Sequence, residues 1–197
     1  MSGNTLVKVY VLPGGKLPER KTDGAIGYDV SLRAIVSPKE MDAENPVLRK
    51  VLFDFKNPPE DPELLRHVLT VSSDEKLGAQ NELVYNLDPG ESVLGGIGFI
   101  TEMSFPMFYW VAPRSGLASK YGITVTNAPG TVDPDYRGEA GVLIYNRSSV
   151  PFFLRHNMRI AQIIFQWAII PELLNTDIDQ LLSTNRGAGG FGSTGIL

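Results

Sequence analysis

The sequence contains no cysteine among its 197 residues, and its only histidines are His67 and His156. The lack of cysteine excludes disulfides, thiolate metal sites and cysteine nucleophiles. Two histidines by themselves cannot build a structural zinc site. A run of apolar residues long enough to span a bilayer is also missing, since the longest, around residues 160–170, is short and interrupted by Gln162 and Gln166.

An excess of basic residues is absent too. Eighteen Lys and Arg stand against 22 Asp and Glu, which gives a net charge of −4. A surface that binds nucleic acid through its phosphates is normally basic, whereas a single nucleotide needs only a local cationic pocket. The first residues, Met1 to Asn4, lack the basic start and apolar run of a signal peptide. We therefore expect a cytoplasmic protein without a nucleic-acid or membrane partner, although a nuclear or viral setting stays open.

The residues that are plentiful point to a β-protein. Apolar residues make up 43% of the chain, with 20 Gly and 14 Pro, a composition that favours a packed core of short strands and tight turns. Alternating or apolar runs predict strands at 6–12, 29–36, 47–55, 93–101, 107–112, 141–145, 151–154 and 160–167. The pattern predicts one all-β domain over residues 1–197, an antiparallel barrel or jelly roll.

Residues 38–86 differ from the rest of the chain. They hold ten acidic and six basic residues, so this segment alone carries the net charge of −4. Asp61 followed by Pro62 is typical of a helix start, and we expect the helix to run through Leu69. We predict a small folded insertion that packs on the outside of the barrel and holds no catalytic residue. Its acidic surface would favour a basic protein partner.

Two short segments carry groups suited to nucleotide chemistry. Arg114-Ser115-Gly116 combines a guanidinium, a hydroxyl and exposed backbone amides, as a phosphate site needs; an ordinary turn is the alternative. The loop from Asp133 to Glu139 crowds acids around Pro134 and Gly138. A carboxylate on such a loop can act as a general base, or the loop can be a charged hairpin tip.

The C-terminal residues form a glycine-rich segment with five glycines between Gly187 and Gly195. Its G-x-G-x-x-G match lacks the preceding strand and following helix of a dinucleotide-binding motif. Consecutive amides without side chains can still wrap an anion, and Arg186 adds a positive charge. We predict a mobile tail at about 184–197, although Phe191 argues against a purely polar tail.

Five segments taken in order resemble the trimeric dUTP diphosphatase family, over roughly residues 6–36 and 87–197. The matching segments are Leu17–Arg20 with Gly27–Asp29, Pro113–Ala118, Asn127–Glu139, Arg159–Phe165, and Arg186 with Gly189–Gly195.

The resemblance implies a jelly-roll-like β-barrel and a homotrimer with shared active sites. It also implies Mg²⁺-dependent hydrolysis of dUTP to dUMP and pyrophosphate, by attack of water at the α-phosphorus. Asp133 would deprotonate that water, and Asp29 would reach a magnesium ion through bound water, the ion being held mainly by the substrate phosphates.

The resemblance assigns the remaining residues to substrate binding. Tyr136 would lie against the deoxyribose and exclude a 2′-hydroxyl, and Phe191 would stack on the uracil. The uracil edge would pair with Asn127 and the neighbouring hairpin at Gly130 and Val132. The residues implied to hold the phosphates are Arg114, Ser115, Gly116 and Gln162, with Arg186, Ser193 and Thr194 covering the γ-phosphate. Gly192 is also implied to bind substrate.

Two departures from the family pattern stand out. Residues 155–158 read Arg-His-Asn-Met where many relatives have a Gly-acid turn, and the 38–86 segment is much longer than the usual link. Two alternatives stay open. One is a catalytically inactive relative used for binding or regulation. The other is the sister enzyme dCTP deaminase, whose catalytic Glu would align with Leu143, a residue that cannot carry a proton.

Overall fold

The computed structural model describes residues 6–72 and 81–190. These residues form strands with short connections, two short helices and one 3₁₀ turn. The strands are β1 (Lys8–Val11), β2 (Tyr28–Ser31), β3 (Ala34–Met41), β4 (Arg49–Phe53), β5 (Val68–Ser72), β6 (Asn81–Leu87), β7 (Ser92–Gly96), β8 (Phe99–Glu102), β9 (Met107–Pro113), β10 (Ile123–Val125), β11 (Gly130–Val132), β12 (Gly141–Asn146), β13 (Phe152–Leu154) and β14 (Arg159–Trp167). The helices are α1 (Pro62–Leu65) and α2 (Ser115–Tyr121), and the 3₁₀ turn is Ile178–Gln180.

The strands pair antiparallel in four sheets within the described ranges. Their orders are β10-β12-β7-β3-β4, β11-β9-β14-β2, β13-β6-β5 and β1-β8. The expected jelly-roll-like β fold is confirmed. The prediction of a closed barrel is wrong for the described residues, because their strands form four separate sheets.

The sheets are separate because two of the runs predicted as single strands are each divided into two strands of different sheets. The run at 29–36 divides at Leu32 and Arg33, so that β2 and β3 join different sheets. The run at 93–101 divides at Gly98, whose φ of +75° suits glycine, and β7 and β8 separate in the same way. Leu32 is fully buried at the first break. At each break, one run of apolar residues passes from one sheet to another.

The unusual turn at residues 155–158 keeps its shape without glycine. Asn157 adopts a left-handed conformation with φ of +62°, and asparagine tolerates that region better than most residues. Its amide donates to the Leu32 carbonyl at 2.8 Å, and the Leu32 amide donates to the Met158 carbonyl at 2.8 Å. These two hydrogen bonds hold the turn against Leu32 at the end of β2, where β14 begins.

The segment 38–86 is built into the sheets rather than packed outside them. Strand β4 extends the five-stranded sheet, and the β5–β6 pair continues into β13. Phe53, Phe55 and Tyr85 are buried in the main core. The expectation that this segment packs on the outside is therefore wrong, because its apolar side chains complete the core that the strands enclose.

The helix in this segment begins where the sequence predicts. The Asp61 carboxylate accepts from the Glu63 amide at 2.9 Å, with Pro62 at the first helical position. The helix ends at Leu65 rather than at Leu69, because Val68–Ser72 pairs with β6 as a strand. Across residues 6–72 and 81–190, neither helix has the length and apolarity that crossing a bilayer requires.

Candidate active site

Three adjacent strands bring together the polar residues at one end of the four-stranded sheet. Gln162 on β14 lies directly between Asp29 on β2 and Ala112 on β9. Opposite residues in an antiparallel pair project from the same face. Arg114 follows two residues after Ala112, so its guanidinium reaches the same face. The sheet register thus gathers Asp29, Gln162 and Arg114 from distant parts of the sequence.

The carboxylate of Asp29 is shared by two guanidinium groups. Arg114 Nε donates to Oδ1 at 3.0 Å, and Arg159 Nη1 donates to Oδ2 at 2.8 Å. The Asp29 side chain is only 15% exposed, and Arg114 is less exposed than Arg159, so water screens the pair with Arg114 less than the pair with Arg159. Two positive charges against one negative charge leave a local positive excess beside Ser115, in an otherwise acidic protein.

Gln162 is fixed by its neighbours. Its Nε2 donates to the Pro113 carbonyl at 3.1 Å, and its side-chain oxygen lies where a Cβ at position 27 would stand. A larger residue at position 27 would therefore push the Gln162 side chain away from its present position.

The segment Ser115-Gly116 opens helix α2 and faces solvent. Arg114 is the N-cap residue in extended conformation, Ser115 and Gly116 are exposed, and Leu117 anchors the helix in the core. The first amides of a helix have no partner within the helix. A Cβ added at Gly116 would meet no atom within 4 Å, so this backbone is open to an incoming group.

The second group of predicted residues lies on the connection between β10 and β11 and on the loop after β11. This connection is not the predicted hairpin, because β10 pairs with β12 and β11 pairs with β9. Asn127 lies at the exposed tip and packs against Gly130, where a Cβ would stand 3.2 Å from the Asn127 Nδ2. Gly130 pairs with Val111, and Val132 pairs with Tyr109. The next residue, Asp133, is exposed.

Tyr136 is held against the backbone of its own loop. Its hydroxyl donates to the Glu139 carbonyl at 3.0 Å, and a Cβ at Gly138 would stand 2.5 Å from its oxygen. The residue is 36% exposed. Burial raises the pKa of the nearby Tyr109 well above its usual range, so that phenol is neutral beneath the loop.

The two groups lie at opposite ends of strand β9 within one chain. Because Val132 pairs with Tyr109 and the strands are antiparallel, Asp133 is level with Phe108. Arg114 follows Phe108 by six residues, which corresponds to about 20 Å at roughly 3.3 Å per residue. A general base and a phosphate ligand separated by that distance cannot act on the same phosphorus atom. A single copy therefore does not bring Asp133 to Arg114.

The C-terminal residues are described only in part. Arg186 is exposed, and its Nε donates to the Gly189 carbonyl at 2.8 Å. Phe191, Gly192, Ser193 and Thr194 lie outside the described residues.

Sequence reasoning missed the residues that support these groups. Arg33, Arg159 and Glu139 have no individual role in the predictions, yet Arg159 pairs with Asp29 and Arg33 pairs with the fully buried Glu139. A single sequence carries no signal for these pairs, because each joins residues more than one hundred positions apart.

A second polar cluster in the described part of the chain is formed by His67, Asp88 and Glu91. His67 Nδ1 lies 3.8 Å from Asp88 Oδ2 and 3.6 Å from Glu91 Oε2. Arg66 Nε donates to His67 Nε2 at 3.1 Å, and His67 Nδ1 lies 3.3 Å from the Asn86 carbonyl, so Nδ1 carries a proton and donates it to that carbonyl rather than to the carboxylates. A metal ligand there would need the opposite tautomer, and the cluster fits a hydrogen-bonded network better than a cation site.

Comparison with known proteins matches the dUTPase family to residues 85–195. The deoxyuridine 5′-triphosphate nucleotidohydrolase of Nautilia profundicola is 47% identical over 109 residues, which cover 55% of this chain and 75% of the relative. The enzyme of the same name from Rhizobium rhizogenes is 43% identical over 123 residues, 62% of this chain and 78% of the relative.

Solved structures share the fold at lower identity. The Staphylococcus bacteriophage 80alpha dUTPase with dUPNHPP has a TM-score of 0.62 at 18% identity, covering 98% of this chain and 100% of the other. The dUTPase from phage phi11 of S. aureus has a TM-score of 0.58 at 14% identity, covering 89% of this chain and 99% of the other. The resemblance drawn from the five ordered segments is confirmed, and the chain belongs to the dUTPase family.

Proposed function

We propose that this chain hydrolyses dUTP to dUMP and pyrophosphate, with water attacking the α-phosphorus. The observation that carries the proposal is the meeting of Asp29, Gln162 and Arg114 across three neighbouring strands, in a chain whose relatives are named for this activity. Phosphoryl transfer depends mainly on positioning and on charge stabilisation. The two arginines at this end of the sheet supply positive charge, and the exposed amides at the start of α2 supply donors that can position a phosphate.

The phosphates would bind at the start of α2. Arg114 supplies a fixed positive charge because the Asp29 carboxylate holds its guanidinium. Ser115 and the amide of Gly116 supply hydrogen-bond donors, and Gln162 lies alongside them. The described part of the tail, with Arg186 and further amides, would cover the γ-phosphate, together with residues 192–194. Closure of such a tail would exclude water from the reacting groups.

A magnesium ion is implied by the family, and Asp29 suits a contact to it through water. Its carboxylate is directed to the phosphate end of the sheet. Oδ2 accepts from both Arg114 and Arg159, whereas Oδ1 accepts only from Arg114 Nε and keeps a lone pair for a water molecule. Such an ion would neutralise charge on the phosphates. Both arginine contacts hold Asp29 in one orientation, which is what an outer-sphere ligand needs.

Asp133 would act as the general base and Tyr136 as the sugar-selecting residue. Asp133 is exposed on a loop anchored by the β9–β11 pairing, so a water molecule can reach its carboxylate. Tyr136 presents a ring whose hydroxyl is already bonded to the Glu139 carbonyl. A ring fixed in this way can pack against a deoxyribose and leave no space for a 2′-hydroxyl.

The protein would act as a homotrimer whose sites are shared between copies. The separation of about 20 Å between Asp133 and Arg114 along β9 supports this, since one copy cannot supply both to one nucleotide. Apolar side chains after β14 support it too, because Ile169, Leu173, Leu174 and Leu182 are 87–93% exposed in a single chain. Neighbouring copies would cover such residues.

The decisive experiment measures pyrophosphate release from dUTP and ammonia release from dCTP. We expect pyrophosphate from dUTP and no ammonia. The variant Asp133→Asn is expected to bind dUTP but lose about 10²–10⁴-fold of turnover, while the matched variant Asp135→Asn on the same loop keeps turnover. Tight dUTP binding without pyrophosphate release in the unmodified protein would favour a regulatory relative instead, and ammonia release would favour a deaminase.

A further inference from the structure

Glu139 is the one fully buried acidic residue in the described part of the chain, and it lies at the end of the loop that carries Asp133. Its carboxylate accepts two bonds from Arg33, from Nε at 2.9 Å and from Nη2 at 2.5 Å. The amide of Gly98 donates to Oε1 at 2.8 Å. Both carboxylate oxygens are therefore bonded, and the side chain is held in one orientation inside the protein.

Arg33 is itself fixed from two directions. It lies at the break between β2 and β3, where its amide donates to the Gly96 carbonyl at 2.8 Å. Its side chain is 13% exposed. Gly96 leaves room for the pair, since a Cβ there would stand 2.6 Å from Glu139 Oε1. The ion pair thus joins the loop after β11 to the point where the chain passes from one sheet to another.

The backbone of Glu139 in turn positions Tyr136. The Glu139 carbonyl accepts the Tyr136 hydroxyl at 3.0 Å, and the ring lies directly on Gly138. The Tyr136 amide donates to the Asp133 carbonyl at 3.3 Å. A shift of Glu139 would therefore move the ring of Tyr136 relative to a bound sugar.

A buried ion pair contributes little net stability compared with apolar residues of similar size, because dehydrating two charges costs about as much as their attraction returns. A guanidinium and a carboxylate in bidentate contact do fix direction as well as distance. We infer that Arg33 and Glu139 are positioning residues, which hold Tyr136 where it discriminates deoxyribose from ribose. This inference rests on the proposed dUTP hydrolysis.

The test compares Glu139→Gln and Arg33→Lys with the unmodified protein. Glu139→Gln removes the charge at nearly constant shape, and Arg33→Lys keeps the charge but loses the planar fork. The measured quantity is the ratio of kcat/KM for dUTP to that for UTP. A second ratio compares binding: the association constant for the non-hydrolysable imido analogue of dUTP divided by that for the UTP analogue, both measured by calorimetry.

We expect both ratios to fall by about tenfold or more in Glu139→Gln, since misplacement by 1 Å can cost about 100-fold. A smaller fall in both ratios is expected in Arg33→Lys, because this variant retains the positive charge. If Glu139→Gln does not fold, Arg33→Lys alone tests the inference. The matched control is Glu82→Gln, which breaks the partly buried pair with Arg155 and is expected to leave both ratios unchanged.

The inference is wrong if the folded variants keep the discrimination of the unmodified protein. It is equally wrong if the rates with dUTP and UTP fall by the same factor, because that is the result of a general structural defect. An unmodified protein that prefers the dUTP analogue in calorimetry but releases no pyrophosphate would overturn the proposed hydrolysis alone. Loss of that preference in the variants would still support the positioning role.

Discussion

Co-expression of two inactive chains tests whether the active site is shared between copies. One chain carries Asp133→Asn, which removes the proposed base, and the other carries Arg114→Gln, which removes the proposed phosphate ligand. Each homotrimer alone lacks one group in every site. The structure separates the two positions by about 20 Å along β9, so a site with both groups intact can form only between different chains.

The size of the rescue follows from random assembly. With equal amounts of the two chains, about half of the loops after β11 carry Asp133 and about half of the neighbouring sheet ends carry Arg114, so about a quarter of the sites are complete. Asp133→Asn alone is expected to retain only about 10⁻²–10⁻⁴ of the turnover. Rescue to about a quarter of normal turnover is at least roughly 25-fold above that background.

A matched control places both substitutions on one chain and co-expresses it with the unmodified chain. Shared sites again give about a quarter of normal turnover, whereas sites built within one chain give about half. Different affinity tags on the two chains show that mixed trimers have formed, and pyrophosphate release is measured in the unfractionated mixture at equal protein concentration. Mixed trimers of the two single variants that show no rescue would refute the argument from the β9 register.

Three further predictions concern the insertion, the tail and the metal. Phe53→Ala is expected to lower the free energy of unfolding by about 3–5 kcal/mol, because the ring is buried and its centroid lies 4.6 Å from that of Phe55. Urea unfolding at fixed protein concentration measures this, and Val51→Ala at an exposed position should cost far less; equal effects would contradict the core role of the insertion. Removal of residues 186–197 is expected to abolish most turnover and leave the trimer intact in sedimentation, whereas full activity would show that the tail is not a lid. Chelation of Mg²⁺ is expected to stop turnover without changing the Tm of the nucleotide-free protein, since the substrate phosphates hold most of the ion; a large fall in Tm would indicate a structural metal instead.

The strands that carry the candidate site were within reach of the sequence. Apolar runs predict β9, β12 and β14 to within one or two residues, because both sides of each strand are bounded by turn residues. The start of α1 followed from Asp61 and Pro62, since capping is a local interaction. Ordered short motifs were enough to indicate the family, because each motif is a contiguous stretch of chain.

Long-range pairing was not predictable in the same way. Whether residues 47–55 pack outside or inside depends on which sheet accepts β4, and the burial of Phe53 and Phe55 follows only from that choice. Similarly, the run at 29–36 looks like one strand until the chain has to pass between two sheets at Arg33.

The sequence by itself determined the β class, the family and the residue types that a nucleotide site needs, because composition, periodicity and contiguous motifs are local properties. Only the tertiary structure decided that Asp29 lies between Arg114 and Arg159, that Arg33 reaches Glu139, and that Asp133 lies far along β9 from Arg114. These relations depend on the register of strands that are distant in the chain. Register is set by the packing of the whole core, and no short segment of sequence contains it.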